Sequence, residues 1–230
     1  MNTEKKRTII ACSMMEDELN ALLKDIHTNT SVLWLDRGYH NTPEKLRDKL
    51  QELILTLQDQ DEILLAFGLC GNGTAGLYSP HTALILPKFD DCLNMLLCRF
   101  PRTTRAMAKP GTIYMTRGWT LDQEGIIQQY EEMGKRYDDE TREAVMEMMY
   151  EHYNSITLID TGCYEMEPVQ NYAKEVCELL DFSIEKEPGS IQILRELITG
   201  QWMNDPDNFI VKKPGESVSD KGTEKVVTVK

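Results

Sequence analysis

The chain has 230 residues, 41% apolar and 27% charged, which is the composition of a globular protein with room for a substantial core. Its formal net charge of −13 repels phosphate backbones and anionic bilayers, which argues against general nucleic-acid or membrane-surface binding. No stretch reaches the roughly 20 apolar residues needed to span a bilayer, and the polar start Met1-Asn2-Thr3-Glu4-Lys5-Lys6-Arg7 does not read as a signal peptide. A cytoplasmic setting is expected, in which the six cysteines stay reduced and serve metal binding, catalysis or packing rather than disulfides.

Strand and helix patterns alternate from the start. Thr8 to Cys12 reads as a strand, and Met15 to Ile26 as a helix with Leu19, Leu22, Leu23 and Ile26 on one face. Val32 to Leu35 is a second strand. Thr42 can cap the next helix, Pro43 suits its first position, and Leu46, Leu50, Leu53, Ile54 and Leu57 form its inner stripe. Residues 62–67 and Ala83 to Leu86 are two further strands, separated by a glycine-rich loop. A helix over Asp91 to about Cys98 precedes the strand Thr112 to Met115, and a long charged helical region is expected from about Gln123 to Tyr153. The strand Ile156 to Ile159, the helix Pro168 to Leu180, a strand near Phe182 to Ile184, a helix over 190–199 and the strand Phe209 to Val211 complete the series. This alternation predicts an α/β fold, a three-layer sandwich with a mostly parallel sheet, and admits two Rossmann-like lobes. The expected domain covers 1–215, with lobes 1–88 and 89–215 as the alternative. A flexible polar tail is expected over 216–230.

The loop Gly68-Leu69-Cys70-Gly71-Asn72-Gly73-Thr74-Ala75-Gly76 carries four glycines in nine residues. Glycine permits positive φ and close approach of another group, so Gly71, Asn72, Gly73 and Thr74 are candidate ligand-binding residues. The loop lacks both the Gly-Lys-Ser/Thr ending of a P-loop and the spacing of a dinucleotide fingerprint. Other polar groups also follow strands: Cys12-Ser13, then Asp36 to Asn41, Asp90-Asp91-Cys92, Thr116-Arg117-Gly118-Trp119, and Asp160-Thr161-Gly162-Cys163. If the strands are parallel, these loops share the edge where open α/β sheets bind ligands.

Cys70 and Cys92 lead the metal candidates, with Cys12, Cys163 and Asp90 to complete a shell. A helix start at Cys92 and free N–H groups around Cys70 are expected to favour thiolate. Soft ligands suit zinc first, and an iron–sulfur cluster as the alternative, although no Cys-x-x-Cys or ferredoxin spacing is present. Reactive metal-free thiols and plain buried cysteines remain open readings. Cys98 and Cys177 read as core. His40, Asp36 and Arg117 are candidate catalytic groups, and Trp119 and Asp160 candidate ligand contacts. Turn, core and capping roles fit the same residues. Met133, Met146, Met148 and Met149 read as core or as an interface.

Ala11-Cys12, Asp36 to Pro43, Phe67 to Thr74, Asp91-Cys92, Pro110-Gly111-Thr112 with Gly118-Trp119, His152-Tyr153, Ile159 to Gly162 and Pro214-Gly215 together resemble an uncharacterised family, the domain of unknown function 1638. The resemblance implies a setting in anaerobes near corrinoid-dependent methyltransferases, hence one-carbon or methylamine metabolism. By that association alone it brings in a corrinoid, and a corrinoid protein or methyltransferase as partner. In that family a histidine commonly precedes the Asp-Cys pair, where this chain has Asp90. The leading expectation is therefore a thiolate-ligated metal protein, enzyme or accessory factor, in corrinoid-linked methyl transfer. The alternatives are a metal-free enzyme of racemase type with two cysteines as acid and base, or a non-catalytic module for a small molecule or cofactor.

Overall fold

The computed structural model describes residues 5–28, 30–98, 109–121 and 124–219. They fold as α/β, with eight strands in two sheets whose pairings are all parallel except one. The chain divides into two compact units, one of residues up to 95 together with those from 191 onward, the other of residues 96–190.

In the first unit, β1 (Arg7–Cys12), β2 (Ser31–Leu35), β3 (Glu62–Ala66), β4 (Ala83–Pro87) and β8 (Phe209–Lys212) form a sheet of order β2-β1-β3-β4-β8. The continuous apolar runs of β1 and β3 place Ile9, Ile10, Ile63, Leu64 and Leu65 fully inside, as expected for central parallel strands covered on both faces. Helices α1 (Glu16–Ile26) and α2 (Pro43–Thr56) bury Leu19, Leu22, Leu46, Leu50 and Ile54. Thr42 precedes α2 as its cap residue without donating or accepting a side-chain capping bond, while Pro43 holds the first position as the sequence suggests. Helix α8 (Gln192–Thr199) brings the chain back to lie on β3 and β4, after which β8 pairs antiparallel with β4. The chain thus places β2 on one side of β1 and β3 on the other. That reversal is a topological switch point, the place in open α/β sheets where a crevice opens beyond the strand ends.

Within the tail expected from Glu216, the part up to Val218 is held in place. Val218 is buried; its N–H donates to Leu77 O at 2.8 Å and its carbonyl accepts from Gly76 N at 2.7 Å. Two backbone bonds and a valine in the core hold this segment to the end of the glycine loop. Residues 220–230 lie outside the described residues.

The second unit holds β5 (Thr112–Met115), β6 (Ser155–Asp160) and β7 (Ser183–Pro188), parallel and in chain order. The charged helical region expected over 123–153 holds two helices, α5 (Ile126–Met133) and α6 (Asp139–Tyr150). The break follows from Gly134, where an added Cβ would lie 2.7 Å from Arg142 Nη1, and from Asp138, whose carboxylate caps α6 by accepting from Thr141 N at 2.8 Å. With α7 (Met166–Leu180) these helices enclose Met115, Met146, Ile156, Leu158, Val169 and Val176. Two short helices, α3 (Cys92–Leu96) and α4 (Arg117–Thr120), follow β4 and β5. Among the described residues no helix is long and apolar enough to cross a membrane.

Candidate functional site

Cys12 is the last residue of β1, and the register pairs Ala11 with Ala66, so the loop after β3 starts beside it. Beyond the strand ends the parallel pairing continues: Leu69 N donates to Phe89 O at 2.7 Å and Cys70 N to Asp90 O at 2.8 Å. The loop after β3 is thereby tied to the segment carrying Asp90, Asp91 and Cys92. Gly68 makes this approach possible, because a Cβ there would sit 2.5 Å from Asp91 Cα. Three loops distant in sequence meet at the switch point and bring Cys12, Cys70 and Cys92 with them.

The backbone at Cys70 is strained. Cys70, Gly71 and Asn72 run consecutively at φ 46°, 61° and 70°, and two of them are not glycine. Such residues each cost on the order of 1–3 kcal/mol and persist only where surrounding contacts impose them. Those contacts are present: Gly73 N donates to Cys70 O at 3.0 Å, Ala75 N to Asn72 O at 3.0 Å, and Arg47 Nη2 of α2 to Asn72 O at 3.1 Å. Pro43 and Leu46 of α2 close on the loop so tightly that a Cβ at Gly73 would meet Leu46 Cδ2 at 2.7 Å. Two hydroxyl oxygens at this edge, Ser13 Oγ and Thr74 Oγ1, are buried without a hydrogen-bond partner. Leaving such a group unmet costs about 1–3 kcal/mol.

The thiols sense one another. Burial pushes Cys70 from 9.0 up to about 12, and the neighbouring Cys12 and Asp91 add to the rise against a small lowering by a backbone hydrogen bond at Gly68. Burial likewise pushes Cys92 well above 9.0, followed in size by Cys12, Cys70 and Asp91. Depressed values were the expectation from the helix start and the N–H-rich loop. Burial wins because α3 is only five residues long, and the nearby groups are thiols and a carboxylate rather than cations. Cys70 is therefore a protonated thiol at neutral pH. Among the described residues, no three His, Cys, Asp or Glu side chains are grouped so as to hold a metal ion.

The other candidates divide between the sheets. Asp36 follows β2 and accepts from Gly38 N at 2.9 Å, while His40 Nδ1 bonds Arg37 O, so both hold the turn that leads into α2. Asp90 contributes its carbonyl to Cys70, and Asp91 Oδ1 caps α3 by accepting from Asn94 N at 2.7 Å. Arg117 and Trp119 lie in α4, beyond β5. Asp160 ends β6, pairs with Lys186 Nζ at 2.7 Å and accepts from Gly162 N at 3.0 Å. The Lys186 ammonium holds its carboxyl below the usual range. Cys163 Sγ lies 3.6 Å from Thr161 O. The single edge expected for all these loops is therefore two edges, since the strands build two sheets. Of the core cysteines, Cys98 is buried and Cys177 packs partly exposed against the second unit's core. Arg47 was not singled out from the sequence. Its only signal is that it follows Leu46 on the helix that closes on the loop.

The family model that matches the chain is described as "Protein of unknown function (DUF1638)" and covers residues 34–198. That span takes in α2, the Cys70 loop, the Asp90-Asp91-Cys92 segment and the whole second unit. None of the curated proteins and none of the solved structures compared with the chain matches it.

Proposed function

We propose that this chain, which belongs to the DUF1638 family, binds a soft metal ion through Cys12, Cys70 and Cys92 at its β1/β3 switch point. The observation that carries this reading is the meeting of three thiols from three separate loops, close enough to raise one another's pKa, at the edge where this sheet order binds ligands. The thiols are not preassembled around an ion. Binding would draw them inward and release their protons, and a cation among them would offset the burial, and the smaller charge coupling, that now keep them protonated. Zinc is the first choice and an iron–sulfur centre the alternative. A metal held by three thiolates keeps a coordination position for a thiol or cofactor substrate. The protein's own part is to desolvate Cys70 and Cys92, hold Cys70 in a strained turn, and present the unpartnered Ser13 and Thr74 hydroxyls at the same edge. The setting proposed is cytoplasmic one-carbon or methylamine metabolism, with a corrinoid protein or methyltransferase as partner.

A second reading rests on the buried, unpartnered oxygens of Ser13 and Thr74. They suit a metal-free crevice that hydrogen-bonds a polar small molecule. Elemental analysis of anaerobically purified, zinc-reconstituted full-length protein separates the two. About one metal per chain is expected, lost in Cys70→Ser and Cys92→Ser. Cys70→Gly should also lose the metal while leaving stability unchanged or raised, because it relieves the backbone strain. Cys163→Ser should keep the metal. No metal in the unmodified protein leaves the metal-free crevice as the account, and metal that survives both serine substitutions overturns the three-thiol site.

A further inference from the structure

The methionines of α6 split in a way the proposed site does not use. Met146 is core, 1% exposed, while Met148 and Met149 are 72% and 51% exposed, and Tyr137 before α6 is 52% exposed. Met149, Met133 and Tyr137 line a concavity of about 410 Å³ together with Gln128, Glu132 and Arg136. The frame around it is firm. Arg142 of α6 stacks on Tyr130 of α5, 4.1 Å from the ring centroid, and is itself held by Asp139 one turn earlier in α6 at 2.9 Å. The rim is acidic. Residues 124–151 carry nine carboxylates against three cations, a net −6 out of −13 for the whole chain.

We infer that this α5–α6 face is a docking surface for a basic amphipathic helix of a partner protein, whose apolar stripe enters the Met133–Tyr137–Met149 concavity while its lysines and arginines meet Glu124, Glu132 and the other carboxylates of the acidic α5–α6 segment. Exposed methionine is a soft, adaptable contact that repacks around different apolar side chains. A solvent-exposed cluster of methionine and tyrosine beside a cavity marks a binding surface rather than ordinary surface scatter. The charge selects the occupant. An acidic or neutral helix would be repelled or unsteered, and an anionic membrane would be repelled, whereas a helix with one apolar and one basic face matches both features at once.

The test uses the full chain and a fluorescein-labelled helical peptide of leucine and lysine, its leucines at i, i+3, i+4 and i+7, followed by anisotropy. Three further probes are the same composition in scrambled order, a counterpart with glutamate for lysine, and phosphatidylglycerol vesicles. The ordered basic peptide is expected to bind, and Met149→Asp and Glu132→Lys should each weaken it about tenfold. Both positions are exposed, so melting temperature should hold; Tyr137→Ser gives an independent variant of the same face. Equal binding of the scrambled peptide would reduce the effect to net charge and overturn the proposal. So would binding of the acidic peptide, preference for the vesicles, absence of binding, or indifference to Met149→Asp and Tyr137→Ser.

Discussion

The five-stranded sheet doubles back across its first strand, whereas the three-stranded sheet lays each strand beside the last. Both put polar residues beyond their strand ends, yet the consequences differ. Beyond β6 the polar groups satisfy one another: Asp160 is held by Lys186 and by the Gly162 N–H. Beyond β1 and β3 they do not: two hydroxyl oxygens lack partners, two thiols are pushed toward neutrality, and Cys70 and Asn72 sit at positive φ. Reversing the order of strand addition leaves a gap at the strand ends that no single connection fills. Two unmet hydroxyls and two strained non-glycine residues coincide there, as such features do at binding sites.

The largest expected effect comes from the contact that closes this edge. Gly68→Val would push a Cβ to 2.5 Å from Asp91 Cα, against backbone that cannot rotate away. A loss of more than about 3 kcal/mol is expected in urea denaturation, with disruption of the Cys70–Asp90 pairing. The second sheet supplies the contrast. Gly162 has φ +71° but nothing within 4 Å of its absent Cβ, so Gly162→Ala should cost only about 1 kcal/mol. Equal costs for the two substitutions would break the distinction between a glycine required by space and one required by conformation alone.

Alkaline pH should act next, through the first sheet. The folded value of Cys70, about 12, lies above its ordinary 9.0, and Cys92 is raised in the same direction. The sign follows directly. Below pH 9 the thiols are protonated in folded and unfolded chains alike, and their contribution is intact. Between about 9 and about 12 the unfolded chain releases the Cys70 proton and the folded chain does not, so stability falls by up to about 1.4 kcal/mol per pH unit, and Cys92 adds in the same direction. Metal-free protein should therefore lose stability above pH 9 more steeply than the Cys70→Ser, Cys92→Ser double variant, in melting curves recorded across that range. Parallel curves would mean that the thiols are not shielded.

Much of this architecture can be read from local pattern. The apolar run Ile63 to Phe67 marks β3, the Leu19–Leu22 stripe marks α1, and the glycines after Phe67 mark the loop that carries Cys70. Those signals are local, and burial follows from them. The division into two sheets is not local. A run of apolar residues says that a strand is covered, not which strand lies beside it, and nothing in Phe209-Ile210-Val211 announces antiparallel pairing with β4. The direction of the thiol shifts was hidden for the same reason. A helix start can be read at Cys92, but the desolvation that overrides it arises from three loops folding together. Positive φ at Cys70 was also out of reach, since a cysteine carries no propensity for it and the strain is imposed by α2 and by the Asp90 pairing.

The smallest effect belongs to the second sheet and sharpens the contrast by its modesty. Lys186 lowers the Asp160 pKa, chiefly through their hydrogen bond, so the folded carboxyl lies below its ordinary 3.8. A depressed carboxylate contributes stability that is present above the unfolded value and lost as pH falls through the folded one. The pair is part-exposed, with Asp160 28% and Lys186 48% accessible, so solvent screening reduces its worth to about 0.5 kcal/mol. Asp160→Asn should therefore cost about that much at pH 7, and the gap to the unmodified protein should shrink with added salt and close as pH falls below about 3.8. Metal content, or ligand binding if the crevice is metal-free, should not change, because Asp160 is already occupied by Lys186 and Gly162 within its own sheet. A variant that kept its stability but lost metal or ligand would show that the second sheet's edge takes part in the site, and the functional contrast between the two sheets would fail.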